Sequence, residues 1–420
     1  MRMSEPEVEA CPECGNSMPV TPGYATWCDR CNWNISPKWV KSESLSLFTR
    51  FQQRLGLRFA ERLFHDMADS KEPSYPVTIG TIGAYAFSIL LHASSIGIVY
   101  FAIHYLIWSR NMAELSLGFF LLILSVALFR PKGKKPFGIK LYRNEYPALH
   151  RLLDQMTDRL NAPKIEAVIV NYDYNAYVTR TGIRRKTLLG IGVPLFSVLD
   201  MQEKVAILAH EMGHHAHRDL TRKIVVRKAI NTLGAWYYFL IPKTDYSEII
   251  GPLHHIVAFA RRRMADIVYY VYLLLGISIW EQSQRAEYFA DLASANMAGR
   301  EAVVSSLGKL HFSPTYMLTL RKVAELRYSS QVFDELRAFV RNVPENEQTR
   351  IKRIQESYAV SLDSTHPPTM YRIQNVNRHS TTEPPINLGD SFARELEQEF
   401  AQLEKDTQRR LLDDYRSWYL

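Results

Sequence analysis

The chain alternates between unbroken apolar runs and segments whose apolar residues recur at helix or strand spacing. Between residues 43 and 68, Leu47, Phe48, Phe51, Leu55, Phe59, Leu63 and Phe64 recur among Arg50, Arg54, Arg58 and Arg62. That pattern predicts an amphipathic linker helix within 41–76, suited to packing on a neighbour or lying on a membrane surface. Residues 77–108 contain no Asp, Glu, Lys or Arg and exceed the ~20 residues that cross a bilayer. A polar link leads to a second apolar run at 115–129, so 77–130 predicts a transmembrane helical hairpin. Tyr100, Tyr105 and Trp108 suit a membrane interface, while His92 and His104 suit interhelical hydrogen bonds or interfacial positions.

Beyond the hairpin, 145–160 reads as a helix and 165–170 as a strand. Thr187, Leu188, Leu189, Gly190 and Ile191 form a second strand, read as an edge strand on which an extended substrate could lie. Gly190 and Gly192 imply close approach of another backbone. Asp200 and Glu203 form a capping box ahead of the stripe Val205, Leu208, Ala209 and Met212, which predicts a helix through 214. Two further apolar stretches, 224–241 and 267–280, suit burial or partial membrane insertion, with Arg261, Arg262 and Arg263 between them. Ala286, Ala290, Leu292, Ala293 and Ala295 predict another helix. Pro367-Pro368 and Pro384-Pro385 mark loops. A charged C-terminal helix occupies 386–420, with Leu396, Phe400, Leu403, Leu411 and Leu412 at helical spacing for docking or oligomerisation. The predicted class is α+β, mostly helical, with a small sheet.

Composition narrows this picture. Hydrophobic residues make up 47% and charged residues 22% of 420, which excludes disorder and permits two or three domains. The net charge of +8 is scattered, so no element stands out as a nucleic-acid reader, and the partners expected are a protein or peptide substrate and a lipid membrane. The first ten residues carry Glu5, Glu7 and Glu9 and no apolar core, unlike a secretory signal peptide.

All four cysteines fall between residues 11 and 31. Cys11-x2-Cys14 and Cys28-x2-Cys31 supply four thiolates at the spacing of a structural zinc ribbon, placed at 1–40; a redox dithiol is the alternative. Trp27, Trp33 and Trp39 with Arg30 and Lys38 offer a small contact surface. Between the two apolar runs Arg110 is the sole Lys or Arg, whereas Arg130-Pro-Lys-Gly-Lys-Lys135 follows the second. The positive-inside rule then predicts a multi-pass cell-membrane protein with the ribbon and residues 136–385 facing the cytoplasm.

The chemistry lies in His210-Glu211-Met212-Gly213-His214. Residues four apart on a helix share a face, about 6 Å apart along the axis, so both imidazoles can reach one metal while Glu211 faces its water. A catalytic zinc wants a third protein ligand. Glu287 offers it, and Asp291, one turn later, can accept a hydrogen bond from a ligand imidazole and so orient it. His217 lies about 10 Å from His210 along the helix and cannot close the same site. His215 points elsewhere, and both are read as surface or supporting residues.

Asn175-Ala176-Tyr177, the strand at 187–192, the His210–His214 motif, Glu287-Tyr-Phe-Ala-Asp291 and Thr365-His366-Pro367-Pro368-Thr369 with Arg372 run in one order. Together, over roughly residues 140–380, they resemble the HtpX and CAAX-prenyl-protease family of membrane zinc metallopeptidases. The resemblance implies a zincin-like metallopeptidase domain at 136–385. It implies zinc ligands His210, His214 and Glu287, the general base Glu211, and His366 and Arg372 near the reacting carbonyl. Where that family often has Arg after the Ser of the second motif, this chain has Gln284, with Arg285 next. The expected activity is endopeptidase cleavage by Glu211-assisted attack of zinc-bound water, with one catalytic and one structural Zn2+. Membrane protein quality control is one setting for it. The alternative is a membrane-tethered zinc-ribbon adaptor with a non-catalytic peptidase scaffold.

Overall fold

The structure is a computed structural model that describes residues 8–21, 24–35, 47–68, 75–129, 137–182, 185–216, 224–241, 252–326, 331–358, 366–379 and 386–419. Lys38, Trp39, the basic stretch 130–135, His217, Thr365 and Pro384-Pro385 lie outside them, as do the side chains of residues 47–55.

The chain opens with a hairpin, β1 (Val8–Ala10) and β2 (Ser17–Pro19), followed by helices α1 (Leu47–Ala68), α2 (Ile79–Trp108) and α3 (Met112–Phe129). Then come β3 (Ile139–Leu141), α4 (Pro147–Arg159), β4 (Ala167–Asn171), β5 (Ala176–Thr181), β6 (Lys186–Gly192), α5 (Val193–Val198) and α6 (Met201–Ala216). Helices α7 (Ile224–Leu240), α8 (Pro252–Ala298) and α9 (Arg300–Lys309) follow, and a 3-10 turn (Leu310–Phe312) leads to α10 (Ser313–Leu326). The last helices are α11 (Val332–Asn342), α12 (Glu345–Tyr358), α13 (Thr369–Arg378) and α14 (Asp390–Tyr419).

Two compact units divide the chain. One comprises residues 1–73, 136–218 and 284–420; the other comprises 74–135 and 219–283. The second unit contains α2, α3, α7 and the first part of α8. Ala84, Val226, Ala229, Leu233 and Leu275 form its buried centre. His92 Nε2 lies 3.2 Å from the Val225 carbonyl, an interhelical hydrogen bond, and His104 stacks on Tyr100. Outward side chains are apolar too: Ile79, Leu90, Ile96, Ile123, Ile267 and Leu274 are 63–89% exposed. Two helices, α2 and α8, are long and apolar enough to cross a membrane, while α3 is shorter. The stretch 267–280 is not a separate segment. It is the middle of one 47-residue helix, α8, which also holds Arg261–Arg263 and continues past Trp280 into Glu287 and Asp291.

The first unit carries a four-stranded sheet in the order β3-β4-β6-β5. Strand β6 pairs in parallel with β4 and antiparallel with β5, so it is central. This corrects the edge-strand reading of Thr187, Leu188, Leu189, Gly190 and Ile191. Residues 187–192 are all buried, the run of apolar residues that a strand covered on both sides needs. The terminal strand is β5. Gly190 and Gly192 do sit under close neighbours: a Cβ on Gly192 would fall 2.4 Å from the Asn175 carbonyl oxygen, and one on Gly190 would enter the Tyr177 ring.

Helix α6 forms where the capping box predicts. Asp200 Oδ1 accepts from Glu203 N–H at 2.8 Å, and Glu203 Oε2 accepts from Asp200 N–H at 2.7 Å. Such a box stabilises a helix start by about 1 kcal/mol. Glu203 is also buried, and Lys309 Nζ donates to it at 2.6 Å, anchoring α6 to α9. Val205, Leu208, Ala209 and Met212 are fully buried. At Gly213 the helix meets the last turns of α8, where a Cβ would lie 3.1 Å from Ala290 Cα. Helix α14 docks rather than projecting: Leu396, Phe400, Leu403 and Leu411 are buried, and Glu399 accepts from the free N–H groups of Ala148 and Leu149 that open α4.

The cysteine module is built of two matching turns. Gly15 N–H returns to the Cys11 carbonyl and Asn32 N–H to the Cys28 carbonyl, each at 2.9 Å, with Gly15 and Asn32 both left-handed. The module rests on α12: Arg350 Nη1 donates to the Ile35 carbonyl at 2.8 Å, Arg353 Nη1 donates to Asn32 Oδ1 at 3.1 Å, and the Arg353 guanidinium covers the Trp27 ring.

Candidate metal centre

Helix periodicity places His210 and His214 one turn apart on α6, with ring planes perpendicular and centroids 4.8 Å apart. Their Nε2 atoms approach to 3.2 Å. From α8, Glu287 brings Oε1 to 3.3 Å from His214 Nε2 and Oε2 to 3.6 Å from His210 Nε2. A tetrahedral zinc with N and O ligands at about 2.0–2.2 Å sets its ligand atoms roughly 3.3–3.6 Å apart. The triad matches that spacing and can hold one such ion. Gly213 lets α6 and α8 come close enough for Glu287 to reach both imidazoles.

Behind the triad stands a buried ion pair. Asp291 Oδ1 lies 3.0 Å from His210 Nδ1. Arg372, on α13, forks onto the same carboxylate, Nε to Oδ2 at 2.8 Å and Nη2 to Oδ1 at 2.7 Å. Asp291 and Arg372 are 1% and 4% exposed, so each carries a large desolvation cost that the other offsets. Burial by itself would raise the Asp291 carboxyl, but Arg372 and His210 hold it below its usual value. Burial would likewise raise Glu287, yet His366 and His214, with hydrogen bonds from His210 and His214, hold it well below the carboxylate range. Both acids therefore face the site as anions.

The other expected residues fall as follows. Glu211 lies beside the triad, and its Oε2 accepts from the Val178 N–H of β5 at 3.1 Å. His366 Nδ1 sits 2.6 Å from Glu287 Oε2, at the mouth of the site. Arg372 lines the same cavity from its buried side: Asp291 engages its guanidinium behind His210, and its Nη2 lies 3.7 Å from Glu287 Oε2. His215 is fully buried rather than a surface residue, and burial followed by nearby Arg180 lowers its pKa. Thr187, Leu188, Leu189, Gly190 and Ile191 stand one strand away, behind β5. A cavity of about 200 Å³ opens onto His210, lined also by Ala176, Glu211, Leu195, Ile207, His366 and other residues.

The four cysteines form a second centre. Cys11 Sγ lies 3.6 Å from Cys31 Sγ and Cys14 Sγ lies 3.5 Å from Cys28 Sγ; none is in a disulfide. All four sulfurs fall within 4.8 Å of one another, the compactness that a tetrahedral thiolate site needs.

Two features were not read from sequence. One is β5 as the free edge beside Glu211: Ala176–Thr181 is as long as 187–192 but more polar, and nothing in its sequence marks which strand ends the sheet. The other is the Asp291–Arg372 fork, which joins residues 81 positions apart and leaves no local pattern.

Fold and donor set together define a metallopeptidase domain. The sequence profile of peptidase family M48 matches residues 143–380, and the chain belongs to that family. It is a metalloprotease, a hydrolase of a family that is in general zinc-dependent. A protease HtpX homolog of Pyrobaculum calidifontis is 26% identical over 242 residues, 54% of this chain and 67% of that protein. One from Archaeoglobus fulgidus is 24% identical over 296 residues, 68% of this chain and 84% of that protein. The crystal structure of S. mikatae Ste24p shares 15% identity, with a TM-score of 0.31 over 71% of this chain and 66% of that one.

Proposed function

We propose that the protein is a membrane-anchored zinc endopeptidase in which His210, His214 and Glu287 hold the catalytic ion. When bound there, zinc supplies a Lewis acid that activates water and polarises a carbonyl. Glu211 takes the proton of the attacking water and returns it to the leaving amine. Val178 N–H fixes that carboxylate before substrate arrives, and this contact, at the free edge of the sheet, is the observation that carries the reading.

Alternate residues of β5 turn their backbone groups away from β6. Asn175 C=O accepts from Gly192 N–H, so Ala176, Val178 and Arg180 face outward. No strand covers that edge among the described residues. An extended peptide lies along it, with its scissile carbonyl over the triad. His366, 57% exposed by its side chain, is the donor placed to meet the oxyanion; Arg372 acts through Asp291 by orienting His210.

The apolar exterior of α2, α3 and α8 is the part that lipid covers, and the basic stretch 130–135 favours a cytoplasmic active site. Substrates are then proteins in or on that membrane face, as in membrane protein quality control. The four cysteines hold a second, structural zinc.

The test is metal content and casein hydrolysis of the detergent-solubilised chain beside Glu211→Gln. The expected result is two zinc ions per chain in both, with hydrolysis lower by about 10²–10⁴-fold in the variant. Full hydrolysis by Glu211→Gln, or a wild type holding only the cysteine-bound zinc, would overturn the proposal.

A further inference from the structure

A second, larger cavity of about 550 Å³ adjoins the catalytic one. The two share lining residues His311 and Thr369, and both lie within the same compact unit. The larger space runs between α9, α11, α12 and α13. Phe312, Val340, Ile351, Met370 and Ile373 supply its apolar surface, beside polar Ser305, Gln348, Thr349 and Thr369. Its charges are committed or peripheral: Lys309 is tied to buried Glu203, and Glu345 and Lys352 are exposed.

The fold holds this space open. Gly308 faces it from the last turn of α9, where a Cβ would meet nothing within 4 Å. Glycine inside a helix costs about 1 kcal/mol relative to alanine, and a methyl group here would meet only open space, so packing does not require glycine at 308. The opposite wall is braced. Helix α12 turns Glu345, Gln348, Thr349 and Lys352 to the cavity, while Arg350 and Arg353 grip the cysteine module.

We propose that this cavity is a substrate subsite that receives one large apolar side chain of the peptide, at a position away from the two residues that flank the scissile bond. The occupant follows from adjacency: His311 and Thr369 line both spaces, so a peptide passing over His210 runs beside the larger cavity. Its chemistry follows from the lining, which offers apolar surface and no uncommitted buried charge. The inference rests on the peptidase reading above and adds where selectivity arises.

The experiment separates the two. Fluorescein-labelled peptides carrying Phe or Ala at each position in turn are titrated against full-length, zinc-loaded Glu211→Gln, with and without Gly308→Leu. At one position outside the central pair, Phe is expected to bind at least about tenfold tighter than Ala, the value of burying an aromatic side chain. Gly308→Leu narrows the cavity from α9 and should lower that ratio, as should Val340→Trp from α11, while Gly308→Ala keeps most of the preference. A ratio unchanged by both filling variants, equal loss of Phe and Ala peptides, or no Phe preference at any outer position would overturn the subsite. Cleavage of the same peptides by the wild type is scored separately. Intact peptides there would sink the peptidase reading while the binding ratio still decides the subsite.

Discussion

Arg372 and Asp291 share two hydrogen bonds, at 2.8 and 2.7 Å, and the same carboxylate reaches His210 Nδ1 at 3.0 Å. A buried cation thereby sets the direction of a ligand imidazole through a carboxylate. Removing one member leaves the other charged and dry, at a cost of about 3–5 kcal/mol. Asp291→Asn keeps the shape but loses the anion that fixes the His210 tautomer. Zinc affinity at the triad should fall by about 10–100-fold, read by competition with a chelator, while the cysteine-bound zinc stays. Equal affinity in variant and wild type would remove Asp291 from this role.

Gly213 decides how closely α6 and α8 approach. A methyl group there would gain up to about 1 kcal/mol of helix propensity but would press on Ala290 Cα at 3.1 Å, so Gly213→Ala should change stability little. Gly213→Leu cannot be absorbed by two helical backbones and should cost about 1–3 kcal/mol. It should also weaken triad zinc binding, because Glu287 moves with α8. Thermal unfolding of both variants, with metal content, checks the contrast.

The order of these effects follows what a sequence can and cannot carry. The His210–His214 spacing, the Asp200–Glu203 box and the uncharged run 77–108 are local, and helix geometry translates each directly into structure. The sheet order is not local. A buried run such as 187–192 reads the same in an edge strand and a central one, and the pairing of β6 with both β4 and β5 fixes its place only in three dimensions. The full extent of the helix through 267–280 is not local either: nothing in its apolar run shows that the helix continues for another turn and more into Glu287. Arg372 and Asp291 meet through tertiary packing alone.

His311, at the border of the two cavities, has a pKa lowered to about 4, chiefly by burial and then by Arg372 and Lys352. Its folded value lies below the unfolded 6.5, so between pH 6.5 and about 4 the unfolded chain binds a proton that the folded chain does not. Stability then falls as pH drops through that window, by at most about 1.4 kcal/mol per unit from this group. His311→Gln should flatten the dependence there and leave it unchanged above pH 7. Denaturant unfolding of both proteins across pH 4–8 measures the difference, and parallel curves would exclude the effect.

The cysteine module grips α12 through Arg350, Arg353 and the Trp27 ring, and α12 is the outer wall of the larger cavity. A module this small has little core of its own, so its metal supplies most of its folding free energy. Cys28→Ser should remove one zinc per chain and unfold the module. The carbonyls of Ile35 and Asn32 Oδ1 would then be lost to α12, and hydrogen exchange across Glu345–Tyr358 should speed up, while exchange in α6 and zinc at the triad stay as they were. Arg353→Ala separates docking from folding: it should speed exchange in α12 with both zinc ions retained. Unaltered exchange in α12 when the module's zinc is gone would show that the module is a passenger on that helix rather than its brace.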